Sequence, residues 1–182
     1  MERIPFWRTS RTLANRVRLK ILVVLNRRPG MRVSDVARAT KLSRPAASQY
    51  LRALEASELV EGQRVRRSVL YEINGNTKSQ HRELAKAIVT RLARGKDVEV
   101  VFKIATAFAN PGRIEVFHAL QKGPKSVAEL RLSTGWANQT VLRHLRKLES
   151  RGFVRPAEDK FEAVVPNDAL ARCLAANAAK GL

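Results

Sequence analysis

The chain has 182 residues, 45% of them hydrophobic, and a formal net charge of +19. That apolar content suffices for packed cores and excludes a disordered basic tail, while the charge calls for a polyanion, nucleic acid or an anionic surface, as it would in a ribosomal or other generic basic protein. No apolar run approaches the ~18 residues of a membrane span, the N-terminal residues lack a signal peptide's apolar stretch, and the single cysteine, Cys173, excludes an internal disulfide, so a cytoplasmic protein with no membrane partner is expected.

In chain order, Val17, Ile21, Val24 and Leu25 recur at three- and four-residue steps and predict a helix, ended by Pro29 and Gly30. A short helix is expected over 35–40 with Ser34 as its N-cap, then a turn and a third helix over 44–57. Strands over 59–65 and 68–73 flank Arg66 and Arg67 as a hairpin. Ser79 is placed to cap a helix over 80–94, stopped by Gly95, whose apolar stripe is Leu84, Ala87, Ile88 and Leu92. A further helix over 98–108 carries Val101, Phe102, Ile104, Ala105 and Phe108. The order then recurs: a helix with Ile114, Phe117 and Leu120, a break at Gly123 and Pro124, a short helix over 127–133 capped by Ser126, and a third helix over 138–151. Strands over 153–155 and 161–165 flank 157–160, and a tail helix over 168–180 repeats Leu170, Ala171 and Leu174 at helical spacing.

The recurrence is an internal repeat of roughly 95 residues, long enough for each copy to be a domain. Leu19, Leu22 and Leu25 align with Ile114, Phe117 and Leu120; after a one-residue gap, Val33 and Val36 align with Val127 and Leu130, and Leu51, Leu54 and Val60 with Leu145, Leu148 and Val154. Two short helices joined by a tight turn and followed by a hairpin form the winged helix-turn-helix plan. The expected fold is therefore mainly α with small β-hairpin wings, as two tandem winged helix-turn-helix domains: a first module over 1–77, a linker helix over 78–97, and a second module with a C-terminal helix over 98–182. Residues 1–96 carry 22 Lys and Arg against 7 Asp and Glu, and residues 97–182 carry 13 against 9. The first half should therefore supply most of the attraction for a polyanion.

The stretch Leu42-Ser43-Arg44-Pro45-Ala46-Ala47-Ser48-Gln49-Tyr50-Leu51-Arg52-Ala53-Leu54 resembles the recognition-helix segment of the ArsR family of repressors. Tyr50 stands where members commonly carry a histidine; His144 restores it in the second copy. Leu13-Ala14-Asn15-Arg16-Val17-Arg18 and Phe108-Ala109-Asn110-Pro111-Gly112-Arg113 resemble the family's Leu-Ala-(Asp/Asn)-Pro-x-Arg opening. The resemblance implies a winged helix that binds double-stranded DNA, usually as a homodimer of single-module chains; two modules in one polypeptide depart from that plan. Many members sense metals, but residues 35–40 hold no cysteine, and His81, His118 and His144 are scattered. No metal site is carried over and no cofactor is expected.

In this motif the third helix enters the major groove. Ala47, Leu51 and Leu54 share its inner face, which leaves Arg44, Pro45, Ser48, Gln49 and Arg52 outward. Arg44 suits guanine O6/N7, Gln49 suits adenine N6/N7, and Ser43 is placed as an N-cap facing a phosphate. Any solvated helix carries polar residues outside, so it is the motif that singles these out. Arg64, Arg66 and Arg67 cluster near the first hairpin tip, where a turn alone would favour Gly or Asn. They suit phosphates or a narrow minor groove. The second copy offers Asn138, Gln139, Arg143 and Arg146, with Leu142 also outward, but Glu158 and Asp159 at its hairpin tip would repel phosphate.

Together these features lead us to expect a DNA-binding transcriptional regulator, a repressor that reads duplex DNA chiefly through its first module as a homodimer on the nucleoid. An architectural or genome-maintenance protein with little sequence preference stays open. An RNA-binding module is less well supported, aromatics being 5% of the chain. An enzyme is least supported, without a Cys/His pair, paired acidic motif or phosphate loop.

Overall fold

The computed structural model describes residues 4–75, 82–93 and 98–180. The expected cap Ser79 and the expected helix ends Gln80, Arg94 and Gly95 lie outside them. By contacts the chain gathers into two units, Thr12–Phe102 and Met1–Arg11 with Lys103–Leu182. Residues 4–11 group with the second repeat, and residues 82–93 and 98–102 group with the first.

Helix α1 (Phe6–Leu13) is absent from the sequence reading, and α2 (Arg16–Arg27) begins the first repeat. Asn15 caps α2, its Oδ1 accepting from the Arg18 N–H at 3.0 Å. The α2 face bearing Leu19, Ile21, Leu22 and Leu25 is buried. Helix α3 (Val33–Thr40) starts earlier than expected, and Ser34 lies inside it. Its first turn is closed by Asp35, whose Oδ2 accepts from the Arg32 backbone N–H at 3.3 Å, so Ser34 has no cap to supply. Helix α4 (Arg44–Glu55) buries Ala47, Leu51 and Leu54 against this core. Strands β1 (Val60–Val65) and β2 (Ser68–Ile73) pair antiparallel from Val60 with Ile73 to Val65 with Ser68. Met31 adds a third rung, its backbone exchanging hydrogen bonds with Tyr71 at 3.1 and 2.8 Å. Helix α5 (Arg82–Ala93) packs on α2 through its buried Leu84, Ala85, Ile88 and Leu92, so it covers the core of its own repeat.

Helix α6 (Val98–Phe108) passes from one unit to the other between Phe102 and Lys103. In the first unit, Glu99 pairs with Arg16 through bonds of 2.6 and 2.8 Å, and the Arg16 guanidinium lies 3.9 Å from the Phe102 ring centre.

The second unit repeats the plan with α7 (Pro111–Leu120), α8 (Val127–Thr134) and α9 (Asn138–Glu149). Asn110 caps α7, and Ser126 caps α8 in a reciprocal box with Glu129. Strands β3 (Val154–Ala157) and β4 (Lys160–Ala163) correct the expected 153–155 and 161–165. Pairing runs out to Ala157 with Lys160, because Glu158 takes the left-handed conformation (φ 54°) and the turn closes on Glu158 and Asp159 alone. Helix α10 (Ala169–Ala178), capped by Asp168, packs on α7.

The core of this unit is aromatic. Phe108 meets Phe117 edge-on at 5.0 Å and Phe153 at 4.7 Å between ring centres, and Phe6 of α1 joins at 6.3 Å. Burying each such side chain is worth about 1.5–3 kcal/mol, so the contribution of Phe6 explains why residues 1–11 belong here.

The repeats turn at matching points. Lys41 (φ 57°) and Gly135 (φ 73°) end α3 and α8 in the left-handed region. Glu58 (φ 54°) and Gly152 (φ 81°) do so after α4 and α9. There Leu59 N–H returns to Leu54 O and Phe153 N–H to Leu148 O, each at 3.0 Å, which pins the exit into the wing. No helix among the described residues is long and apolar enough to cross a membrane.

Candidate nucleic-acid interface

The αL turn at Lys41 and the return of Leu42 N–H to Ala37 O at 2.9 Å set α4 across α3. Ser43 caps α4, its Oγ accepting from the Ala46 N–H at 3.3 Å. With Ala47, Leu51 and Leu54 buried, Arg44, Pro45, Gln49 and Arg52 are exposed, as is Ser43, while Ser48 is half-buried. The N-terminal half of α4 and its cap therefore present a donor fork at Arg44, an amide at Gln49 and a hydroxyl at Ser43. Tyr50 is half-buried, with the Arg18 guanidinium 5.9 Å from its ring centre.

The first wing is a two-residue turn at Arg66 and Arg67, with Arg66 left-handed at φ 54°. A non-glycine residue in that region is strained by about 1–2 kcal/mol. The turn thus retains arginine at a backbone cost glycine would avoid. Arg64, Arg66 and Arg67 are all exposed, and none is in an ion pair among the described residues. At the wing's base Gln63 Nε2 donates to Glu72 Oε1 at 2.9 Å.

The second unit differs at the same places. Asn138, Gln139, Arg143 and Arg146 are exposed on α9. Leu142, expected outward, is half-buried; the exposed leucine is Leu132 on α8, 80% accessible. Two polar residues at the wing tip, Glu158 and Asp159, are exposed acids, and Arg155 is tied to Glu162. Helix α9 has no side-chain cap at Ala137.

His144 is not on the exposed face of α9. It is 5% accessible, its Nδ1 has no hydrogen-bond partner among the described residues, and it stands edge-on to Trp136 at 6.0 Å. Burial, with Arg113 and Arg143 nearby, pushes its pKa down to about 4, so the ring is neutral. Gly112 makes room for it: a Cβ there would lie 2.6 Å from His144 Nε2.

Among the described residues no group of His, Cys, Asp and Glu is arranged to hold a metal ion.

Two helix-turn-helix units, each with a short paired wing, define the chain as a tandem winged helix-turn-helix protein. Residues 15–62 match the family described as "Bacterial regulatory protein, arsR family", and residues 108–157 match "Helix-turn-helix domain". The chain thus carries an arsR-family helix-turn-helix domain followed by a second helix-turn-helix domain. Over 61 residues it is 38% identical to an uncharacterized HTH-type transcriptional regulator of Methanocaldococcus jannaschii, a match covering 34% of this chain and 63% of that protein's length. No solved structure matches the chain.

Proposed function

We propose that this protein is a DNA-binding transcriptional regulator, a repressor that acts by occupying promoter DNA. The observation that carries the reading is the pairing, in an arsR-family domain, of an exposed α4 face with a wing of three exposed arginines, two of them in its turn and one of those, Arg66, in the strained left-handed conformation. The similarity to an HTH-type transcriptional regulator supports the regulatory role. Arg44 and Gln49 read base edges, with Ser43, Pro45, Ser48 and Arg52 beside them; Arg64, Arg66 and Arg67 hold phosphates or a narrow groove. Asn138, Gln139, Arg143 and Arg146 form a weaker second surface, because the acidic tip beside them repels phosphate. The protein acts in the cytoplasm, on the nucleoid, by binding alone and without catalysing a reaction.

The net charge of +19 favours a second reading, an architectural or genome-maintenance protein with low sequence preference. Affinity for a selected site against random duplex separates them. A regulator gains about 10³-fold or more, and equal affinities would leave the architectural role.

Two recognition helices about one DNA turn apart, roughly 34–36 Å, can be supplied in two ways. Unequal modules favour a homodimer that presents two first modules about a twofold axis on a palindrome. The presence of two modules in one polypeptide favours both readers within one chain. Light scattering with and without DNA distinguishes them, a persistent monomer with one asymmetric footprint ruling out the homodimer.

A further inference from the structure

The two repeats hold a cleft at the same place. In the first unit it lies among α2, the end of α3 and α5, about 310 Å³, lined in part by Lys20, Val23, Val24, Arg27, Thr40 and Leu92. In the second it lies among α7, the end of α8 and α10, about 620 Å³. Its Glu115, His118, Ala119 and Lys122 are the repeat partners of Lys20, Val23, Val24 and Arg27, and Ser133 and Thr134 are those of Ala39 and Thr40. The position recurs, and both linings are basic, with Lys20, Arg27 and Lys41 in the first, but Val23 and Ala39 are replaced in the second by His118 and Ser133, groups that hydrogen-bond.

Three ammonium groups line this cleft, Lys122 and Lys125 from the α7–α8 turn and Lys180 from just beyond α10, against one carboxylate, Glu115. Like charges drawn to one concavity repel until an anion enters, so the arrangement is complementary to a compact negative ligand. The cleft is also framed to hold its shape. The His118 ring is tied by Nδ1, which donates to the Ala179 carbonyl at 2.7 Å. Thr134 Oγ1 donates to Leu130 O at 2.7 Å and Ser133 Oγ does so at 3.1 Å. Lys125 is anchored by its backbone to Phe161 in the wing sheet, at 2.9 and 2.8 Å.

Glu115 connects the cleft to α9. Its Oε2 accepts from Trp136 Nε1 at 2.6 Å, and Trp136, in the turn before α9, stands edge-on to the buried His144 of that helix. An anion entering the cleft meets the Glu115 carboxylate directly, and a shift of that carboxylate moves the indole it holds.

We propose that the second unit's cleft binds a small, multiply charged oxyanion through Lys122, Lys125 and Lys180, and that Glu115 and Trp136 transmit its occupancy to α9. The site needs no DNA to be tested. Trp7→Phe leaves Trp136 as the sole tryptophan, since the chain has two. Pyrophosphate and citrate, titrated at constant ionic strength, should each give a saturable change in Trp136 emission and a binding isotherm by calorimetry. Lys122→Ala and Lys180→Ala should each weaken binding about tenfold or more, the usual yield of a charge-assisted bond, whereas Arg27→Ala in the first unit should leave it unchanged. Glu115→Ala should keep the calorimetric binding and lose the fluorescence change. No saturation, or equal affinity in the lysine variants and wild type, overturns the site. Binding with an unchanged fluorescence response in Glu115→Ala overturns the connection to α9. Both results are independent of whether the protein reads a DNA sequence, so they leave the regulatory reading to its own test.

Discussion

Arg18 and Arg113 do the same work in the two repeats: each guanidinium folds back on the carbonyl six residues earlier, Arg18 on Thr12 at 3.2 Å and Arg113 on Ala107 at 2.6 Å. They close the matching openings Leu13-Ala14-Asn15 and Phe108-Ala109-Asn110, and both tie the helix before the repeat to the helix that begins it. Arg113 adds a second bond, to Thr106 O at 3.0 Å, and burial holds both guanidinium pKa values below the ordinary one. Arg113→Lys keeps the charge and loses the two-pronged geometry. It should lower stability by about 1–3 kcal/mol, the cost of a buried carbonyl left without its donor. Arg18→Lys should cost less. Denaturant midpoints rank the two, and an Arg113→Lys loss no larger than that of Arg18→Lys would contradict the account.

Gly112 offers a sharper sign test. In a helix, replacing glycine with alanine ordinarily stabilises by about 0.5–1 kcal/mol. Here the added methyl meets His144 Nε2 at 2.6 Å and the Trp136 ring at 3.3 Å. Gly112→Ala should therefore destabilise, by about 1–3 kcal/mol, and Trp136 emission should shift. A gain in stability would mean the pocket yields freely.

His144 should make stability depend on pH over a window set by its two pKa values. Its folded pKa, about 4, lies below the ordinary 6.5, so the unfolded chain binds the proton first. Stability is full above about pH 6.5 and falls progressively as the pH drops to 4, by about 3 kcal/mol at most. His144→Gln removes that titration. Unfolding curves across pH 4–7 should be flatter for the variant, and parallel curves would show that His144 contributes no such linkage.

The wing arginines should act on every sequence alike. Replacing Arg64, Arg66 and Arg67 together with alanine should weaken binding to specific and random duplex equally. It should also reduce the salt slope by about 0.9 for each phosphate that is no longer neutralised. An unchanged slope removes the wing from the interface.

Arg44→Ala and Gln49→Ala should behave otherwise, each costing about 1–3 kcal/mol on a preferred site and relaxing choice at particular base pairs. Site selection on wild type and variants is the measurement, and identical motifs would show that neither side chain reads bases.

Much of this architecture is legible in the residue pattern, and the misses have causes. The outward set on α4 follows from the spacing of Ala47, Leu51 and Leu54, because a helix with a buried stripe has its other positions dictated. Helix α1 escapes because most of its covered positions are polar: Thr9, Ser10 and Thr12 are buried between the apolar Phe6 and Leu13, and Thr12 bonds Ser57 across 2.8 Å. No hydrophobic period announces such a helix. Ser34 has the chemistry of a cap, yet Asp35 reaches back first. The strands of the second wing end where a left-handed Glu158 permits a two-residue turn, a conformation that residue type does not advertise. The anion cleft is invisible in one dimension, since Glu115, Lys125 and Lys180 meet only after α7, α8 and α10 have packed.

The division of α6 between the two units bears on how this chain can be taken apart. A fragment cut after the first wing would forfeit Glu99 and Phe102, on which Arg16 rests, and would carry Phe6 without the Phe108 it packs against. A fragment starting at the second repeat would keep Phe108 and lose Phe6. One repeat as the sequence draws it is thus not one compact unit, and a fragment that is to keep these contacts must carry α1 and α6 with the repeats they serve.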